Sequence, residues 1–343
     1  MNNPFTSLSN FRMQFNQGLC QLIDKKQLGT FILCLANASN DSELFLQLKA
    51  QLEEQYFYLL DQYKAALLKG EQINAVDEDL LVFLKLNVLG FDNIKLTEQR
   101  EESKWLCQFN QLRSFRPRRM TDFAHNGNMF TPYVESHFNF NKPFMKKECF
   151  WSGLYNNKQI DLFYNKYPFA DLHGLIVPQR DKCLPQFLLR ELHSYICEFT
   201  NELSVNLPGI AVGYNSYGAF ASVNHLHFQM FIDEKGLPVS LSSWRHNGGD
   251  AEYPLNVTVC ENAEDSWKII DDLHNQKQAY NLLYMPEKIY IIARSVQGSV
   301  DTPDWSSGFT WYEMSGAMLQ SNYLNYINLR DIEIEEHLKS HKV

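Results

Sequence analysis

The segment with the strongest candidates for catalytic side chains runs from Gly213 to Asp233, GYNSYGAFASVNHLHFQMFID. Its end, Val223 to Ile232, is predicted to be a β-strand, in which side chains alternate between two faces. One face would carry His225, His227 and Gln229, with about 7 Å between alternate positions. The other face is wholly apolar and belongs in a core: Leu226, Phe228, Met230 and Ile232. This pattern favours an active site over a pair of core histidines.

The chemistry that suits these side chains is attack on phosphorus. Histidine can form a covalent phosphoramidate, provided that the attacking nitrogen is unprotonated and an acceptor holds the other ring nitrogen. Gln229 can donate its amide to a phosphoryl oxygen without titrating. The preceding loop adds hydroxyl, amide and backbone donors, and Gly218 gives it conformational freedom. A loop with so many donors can hold a phosphate without a metal: Asn215, Ser216, Gly218 and Ser222.

Zinc binding is the alternative for the same histidines. His225 and His227 could be ligands, and His173 a third, because zinc takes several N, S or O donors. The chain has no Cys-x-x-Cys pair, and glutamine is a poor zinc ligand. We therefore expect neither a metal nor a cofactor.

Composition excludes several classes of protein. The chain has 343 residues, 45% hydrophobic and 21% charged, which rules out collagen-like, low-complexity and wholly disordered proteins. A net charge of −9 disfavours nucleic-acid binding over the whole surface. Seven cysteines without close spacing argue against a disulfide framework. Neither a signal peptide nor an apolar run long enough for a membrane span is visible, so we expect a soluble, cytoplasmic protein.

The chain divides into a helical part and a mixed part. Apolar residues from Ser42 to Lys69 and from Leu80 to Leu89 recur as in helices, with Gly70 and Gly90 as stops. Residues 1–104 are therefore predicted to be a helical accessory region, 105–325 the α+β domain and 326–343 a C-terminal tail. Within the domain we predict strands, a hairpin and one helix: Gln159–Tyr164, Gly174–Val177, Ile210–Tyr214, Tyr280–Tyr284 with Ile289–Ala293, and the helix Phe187–Leu203.

The run from Gly213 to Gln229 resembles the GDP-L-galactose and GDP-D-glucose phosphorylase family. Within it, His225 to Gln229 resembles the His-x-His-x-Gln signature of the nucleotidyl-transferring branch of the histidine-triad superfamily, to which galactose-1-phosphate uridylyltransferase belongs. Weaker matches lie in the same order between residues 105 and 320: QLRSFRPRR (111–119), FNFNK (138–142), NKYPFADLHGLIVPQ (165–179), CLPQ (183–186), the stretch 280–293 and EMSG (313–316).

This resemblance implies a fold, a reaction and roles for individual residues. The fold would be a duplicated histidine-triad antiparallel sheet with packed helices. His227 would attack the α-phosphorus of a GDP-hexose, leaving a guanylyl-histidine that inorganic phosphate converts to GDP. His225 would orient His227 or the leaving group, and Gln229 would hold the α-phosphoryl group. The resemblance further implies that Asn215, Gly218 and Ser222 line the phosphate pocket, that Asn165 contacts the ribose, and that His173 supports the site from behind.

A basic element precedes the site in an otherwise acidic chain. Arg116, Arg118 and Arg119, with Arg113 before them, carry guanidinium groups that suit phosphates. We expect substrate contact here, although such clusters are often simply solvated. The substrates would be a nucleotide sugar and phosphate, and a homodimer is compatible with the sequence. Two alternatives stay open: another transferase or hydrolase of the superfamily, acting on dinucleoside polyphosphates or UDP-hexoses, and a non-catalytic nucleotide sensor.

Overall fold

The computed structural model describes residues 3–23, 26–116, 129–320 and 322–343. Over these residues the helices are α1 (Leu8–Ile23), α2 (Leu28–Ala38), α3 (Ser42–Leu68), α4 (Asp77–Leu89), α5 (Gln111–Phe115), α6 (Arg190–Leu203), α7 (Ala263–Asn275), α8 (Trp311–Met314), α9 (Tyr323–Asn328) and α10 (Asp331–Ser340). The strands are β1 (Glu98–Glu102), β2 (Trp105–Phe109), β3 (Cys149–Tyr155), β4 (Lys158–Tyr164), β5 (Asp171–Pro178), β6 (Ile210–Asn215), β7 (Phe228–Ile232), β8 (Asn256–Cys260), β9 (Tyr280–Met285), β10 (Lys288–Ala293) and β11 (Ala317–Gln320).

The two helices predicted from the first hundred residues are present. Helix α3 begins after Asp41, whose carboxylate accepts from the backbone N–H groups of Glu43 and Leu44, as an N-cap does. Gly70 and Gly90, which follow the ends of α3 and α4, have φ of 71° and 83°. These left-handed conformations favour glycine and end the helices.

Eight strands form one sheet in the order β3-β4-β5-β7-β6-β9-β10-β8, and every neighbouring pair is antiparallel. Helix α6 connects β5 to β6, and α7 connects β8 to β9. These two strand–helix–strand units are joined by packing between α6 and α7. A smaller sheet has the order β1-β2-β11. The α+β class and the antiparallel sheet predicted from the sequence are confirmed.

The predicted strands near β4, β5 and β6 and the β9–β10 hairpin are also present, and the helix predicted from Phe187 begins at Arg190. The strand predicted over Val223–Ile232 is wrong in its first half, because β7 begins only at Phe228. The backbone N–H of Leu226 donates to the Leu184 carbonyl at 2.8 Å. The backbone before Phe228 therefore hydrogen-bonds to a loop instead of a neighbouring strand. Both histidines of the motif precede β7.

The large sheet is covered on both faces. Leu226, Phe228, Met230 and Ile232 belong to a core shared with helices α1 to α4, α6 and α7, as the apolar alternation predicted. Phe231 lies in a second core, where its ring stacks on Trp311 with centroids 4.9 Å apart. Two residues of α10, Ile334 and Leu338, are buried in that second core. The proposed division at residues 104 and 325 stays a prediction.

Candidate functional site

A cavity of about 360 Å³ opens where β6 and β7 meet the loops around them. Its wall includes residues singled out in the sequence that come from different parts of the chain, among them Asn165, Asn215, His227 and Gln229. Further lining comes from α4, α5, the aromatic segment 138–145 and the loop 307–310. The cavity is of the size that holds a small organic ligand.

His227 is held so that one ring nitrogen is available. It is 7% exposed, and its Nδ1 lies 2.8 Å from the His225 carbonyl oxygen. Because a carbonyl only accepts, Nδ1 carries the proton and Nε2 keeps its lone pair. Burial lowers the pKa of His227 to about 4, so the ring is neutral at neutral pH. This is the state that a nucleophilic imidazole requires.

His225 does not face the cavity. Its Nε2 donates to the Arg180 carbonyl at 3.1 Å, and its Nδ1 accepts from the Phe140 backbone N–H at 3.2 Å. Burial, with His227 nearby, lowers the pKa of His225 to about 4. Because β7 begins after both histidines, the expected row of three side chains on one strand face is wrong. His225 reaches His227 through its backbone carbonyl.

Gln229 is oriented by a buried histidine. The Nδ1 of His173 accepts from the Phe169 N–H at 3.4 Å, which places the proton on Nε2. That Nε2 donates to the Gln229 side-chain oxygen at 3.1 Å and also lies 3.1 Å from the Asn165 side-chain nitrogen. Burial lowers the pKa of His173 to about 3, so it stays neutral. With its oxygen taken, Gln229 presents its NH₂ group as a donor.

Asn215 is fixed in the same way. Its side-chain oxygen accepts from the Trp311 N–H at 2.8 Å and from the Asn281 side chain at 2.7 Å. Its NH₂ group is therefore the part that can donate to a ligand in the cavity.

Gln186, which lies within the CLPQ match and has no role predicted from the sequence, supports His227. It is 1% exposed, and its side-chain oxygen accepts from the His227 N–H at 2.9 Å. Its NH₂ group donates to the carbonyls of Asn215 and His227 at 3.0 and 3.2 Å. Gln186 thus ties the nucleophile to the end of β6. In the sequence, the one feature that marks Gln186 is that it is a polar residue beside a proline in an apolar stretch, LPQFLL.

The donor-rich loop contributes less than expected. Ser222 lines the cavity, whereas Gly218 is not among the lining residues. Gly218 has φ of 82°, and its carbonyl accepts from the Gln297 N–H at 2.7 Å. It therefore shapes a turn that places Gln297 on the wall. Ser216 is buried and accepts from the Tyr280 N–H at 3.0 Å, which gives it a structural position.

The basic element reaches the cavity through two arginines. Arg113 and Arg116 line it, and their guanidinium groups lie over the rings of Phe169 and Tyr167, at 4.8 and 5.4 Å from the ring centroids. Arg113 also donates to the Tyr167 carbonyl at 2.9 Å. The predicted contributions of Arg118 and Arg119 lie outside the described residues.

Across residues 3–23, 26–116, 129–320 and 322–343, no three His, Cys, Asp or Glu side chains are grouped so that they could hold a metal ion. His173 and His225 each use both ring nitrogens in the bonds described above. In the same residues, no helix has the length and apolarity to cross a membrane.

Residues 94–231 match the family model described as GDPGP1-like, N-terminal domain. GDP-D-glucose phosphorylase 1 of Danio rerio is 33% identical over 141 residues, which are 40% of this chain and 39% of that protein. GDP-D-glucose phosphorylase 1 of Xenopus laevis is 40% identical over 79 residues, 23% of this chain and 19% of that protein. GDP-L-galactose phosphorylase 2 of Arabidopsis thaliana is 34% identical over 79 residues, 23% of this chain and 18% of that protein. The chain spans less than two fifths of the length of these relatives.

The fold is similar to that of yeast Ap4A phosphorylase Apa2. The TM-score is 0.50 at 14% identity, with 79% of this chain and 97% of that chain covered. The complex of that protein with Ap4A gives the same TM-score, with 79% and 100% covered. At this identity the likeness concerns the fold.

Proposed function

We propose that the protein is a GDP-hexose phosphorylase, a proposal supported by the match of residues 94–231 to the GDPGP1-like N-terminal domain model. It converts a GDP-hexose (GDP-L-galactose or GDP-D-glucose) and inorganic phosphate to a hexose 1-phosphate and GDP. The observation that carries the proposal is the hydrogen bond from His227 Nδ1 to the His225 carbonyl. It leaves an unprotonated Nε2 at the wall of a ligand-sized cavity.

The reaction has two displacements at the same phosphorus. In the first, His227 Nε2 attacks the α-phosphorus, an N–P bond forms, and the bond to the bridging oxygen breaks. Hexose 1-phosphate leaves with that electron pair. The ring of the guanylyl-histidine is then cationic, and the His225 carbonyl, 2.8 Å from Nδ1, stabilises the charge. In the second, a phosphate oxygen attacks the same phosphorus, the N–P bond breaks, and GDP is released.

The neighbouring amides stabilise the charge that develops on the phosphoryl oxygens. Gln229 and Asn215 each have the side-chain oxygen engaged by the protein and the NH₂ group left as a donor. Donors fixed in advance do not need to reorganise during the reaction, which is the source of their catalytic effect. Arg113 and Arg116 supply positive charge for the β-phosphoryl group. Asn165 is assigned to the ribose and His173 to holding Gln229.

The test is the intact mass of the purified protein after incubation with GDP-D-glucose or GDP-L-galactose in the absence of phosphate. We expect a gain of one guanylyl group, which is lost when phosphate is added and GDP appears. His227→Ala should form no adduct and should lose about 10³-fold or more of the turnover. His137→Ala, at an exposed histidine, is the matched control and should behave as the wild type.

Other outcomes point to other functions. Release of GMP without phosphate would indicate a hydrolase. Adducts formed only from UDP-hexoses or dinucleoside polyphosphates would indicate a different substrate for the same histidine. Tight nucleotide binding without turnover, unchanged by His227→Ala, would indicate a sensor and overturn the proposal.

A further inference from the structure

A second, smaller cavity of about 70 Å³ adjoins the main one. The two cavities share Arg113, Arg116 and Ser307 as lining residues, and the smaller one is also lined by Ser114 and Gln320. We call it the side chamber. The two spaces therefore meet at these three residues, which places the side chamber next to the arginines of the main cavity.

Gln320 is the unusual feature of this chamber. It is the last residue of β11 and is 4% exposed. Neither its side-chain oxygen nor its side-chain nitrogen has a hydrogen-bond partner within the described part of the chain. Buried amides without partners are costly, and native proteins keep few of them. At the wall of the side chamber, both polar atoms of this amide are therefore free of protein partners and can bind a ligand group.

The chemistry of the wall indicates which ligand group that is. The amide of Gln320 offers an acceptor and donors side by side, which complements hydroxyl groups because a hydroxyl both donates and accepts. An ionised phosphoryl group without O–H offers only acceptors and would leave the glutamine oxygen unmatched. Ser114 Oγ already donates to the Gln111 carbonyl at 2.6 Å, so its lone pairs remain to accept from a ligand hydroxyl. The arginines at the entrance suit an anionic group.

A series of packed rings connects Arg113, at the entrance of the side chamber, to the side-chain amide of Gln229. The Arg113 guanidinium lies over Phe169, whose ring centroid is 4.3 Å from that of His173. His173 in turn holds the Gln229 oxygen at 3.1 Å. The order along the wall is therefore His227 and Gln229 for the α-phosphoryl group, the arginines, and then the side chamber.

We propose that the side chamber binds the hexosyl group of the GDP-hexose, and that Gln320 is a specificity-determining residue that hydrogen-bonds its hydroxyls. The β-phosphoryl group that carries the hexose lies at Arg113 and Arg116. This inference rests on the proposed function and adds the location of the sugar to it.

The two half-reactions separate this role from a general effect on catalysis. Exchange of labelled phosphate into GDP uses only the second displacement and its reverse, and no hexose takes part. Phosphorolysis of a GDP-hexose needs the sugar in place. Both reactions are measured for the wild type, Gln320→Leu, Gln320→Glu and the matched surface control Gln47→Ala, which changes an exposed glutamine of α3.

We expect Gln320→Leu to lower kcat/KM for the preferred GDP-hexose by about 10- to 1,000-fold, because the sugar hydroxyls lose their partners. Phosphate–GDP exchange should change by less than about twofold, which also shows that the variant is folded. Gln320→Glu keeps the acceptors but loses the NH₂ donors, so it should change the ratio of rates between GDP-D-glucose and GDP-D-mannose. Gln47→Ala should alter neither reaction.

Equal loss of exchange and phosphorolysis in Gln320→Leu would overturn the inference, and so would unchanged phosphorolysis with unchanged sugar preference. Failure of the proposed function is distinguishable, because the wild type itself would then show neither a phosphate-labile guanylyl adduct nor exchange.

Discussion

The first half-reaction should be almost independent of pH in the range where an ordinary histidine titrates. Burial lowers the pKa of His227 from 6.5 to about 4. Lowering the pH from 7.5 to 6.0 is the perturbation. Formation of the guanylyl-enzyme without phosphate is the reaction to follow, since a GDP-hexose has no group of its own that titrates near neutral pH.

The two possibilities differ by a measurable factor. With a pKa of about 4, roughly 99% of His227 is unprotonated at pH 6.0, so the rate should fall by less than about 10%. With the ordinary value of 6.5, the unprotonated fraction would fall from about 91% to about 24%, and the rate about fourfold. A pKa one unit above the expected value still leaves about 90% of the nucleophile active.

Folding sets the lower limit of this pH range. In the folded protein the pKa values of His173, His225 and His227 lie below the value of an unfolded histidine. The unfolded state therefore binds more protons between pH 6.5 and 4, and stability falls as the pH drops through that window. At pH 6.0 the loss is about 1 kcal/mol for each such histidine, and burial lowers the pKa values of His193, His274 and His341 in the same way, so the fold has to be checked at each pH.

The assay is a rapid-quench or mass-spectrometric time course of adduct formation, with circular dichroism on the same samples. The exposed His137→Gln variant should give the same profile as the wild type. A fourfold loss of rate in protein that remains folded would refute the assignment of a depressed pKa to the nucleophile.

Three further substitutions test the supporting groups. His173→Leu releases the Gln229 amide and should lower the rate of adduct formation about 10- to 100-fold with little change in KM, while phosphate affinity stays constant; an unchanged rate would contradict this role. Gln186→Leu leaves three backbone groups near His227 unpaired and should lower the free energy of unfolding by about 3 kcal/mol or more in urea titrations. Arg113→Met should lower kcat/KM about tenfold or more, because the β-phosphoryl group loses a positive charge. A loss of stability in urea with unchanged kcat/KM would instead indicate that Arg113 is purely structural.

The amphipathic patterns predicted the large elements well. The repeat of apolar residues from Ser42 onward defined α3, and the alternation around Phe228 placed one face of β7 in the core. Each pattern reflects burial on a single face, which is a local property of the sequence. The same alternation failed just before Phe228, because there the backbone hydrogen bonds are made by the 184–186 loop, a contact across 41 residues from His227 to Gln186.

The site could be predicted in its residue types but not in its orientations. His227 and Gln229 do share the cavity, yet His225 contributes a carbonyl and two structural bonds instead of a side chain in the cavity. The roles of Gln186 and Gln320 depend on what lies opposite them in the fold. Single polar residues in apolar stretches carry no periodic signal, so only the tertiary structure distinguishes a supporting amide from an incidental one.

The N-terminal helices are more closely tied to the site than an accessory region needs to be. Asn37 of α2 is buried and donates to the Asn165 carbonyl at 3.0 Å, so it holds the residue whose side chain meets His173. Asp79 of α4, 4% exposed, bonds the Lys166 ammonium at 2.6 Å, and both residues line the cavity. Helices α2 and α4 therefore hold Asn165 and Lys166, which follow β4, by hydrogen bonds, and α4 supplies part of the cavity wall. Because catalytic amides act by being held in place, these helices contribute to the site without carrying any reactive group.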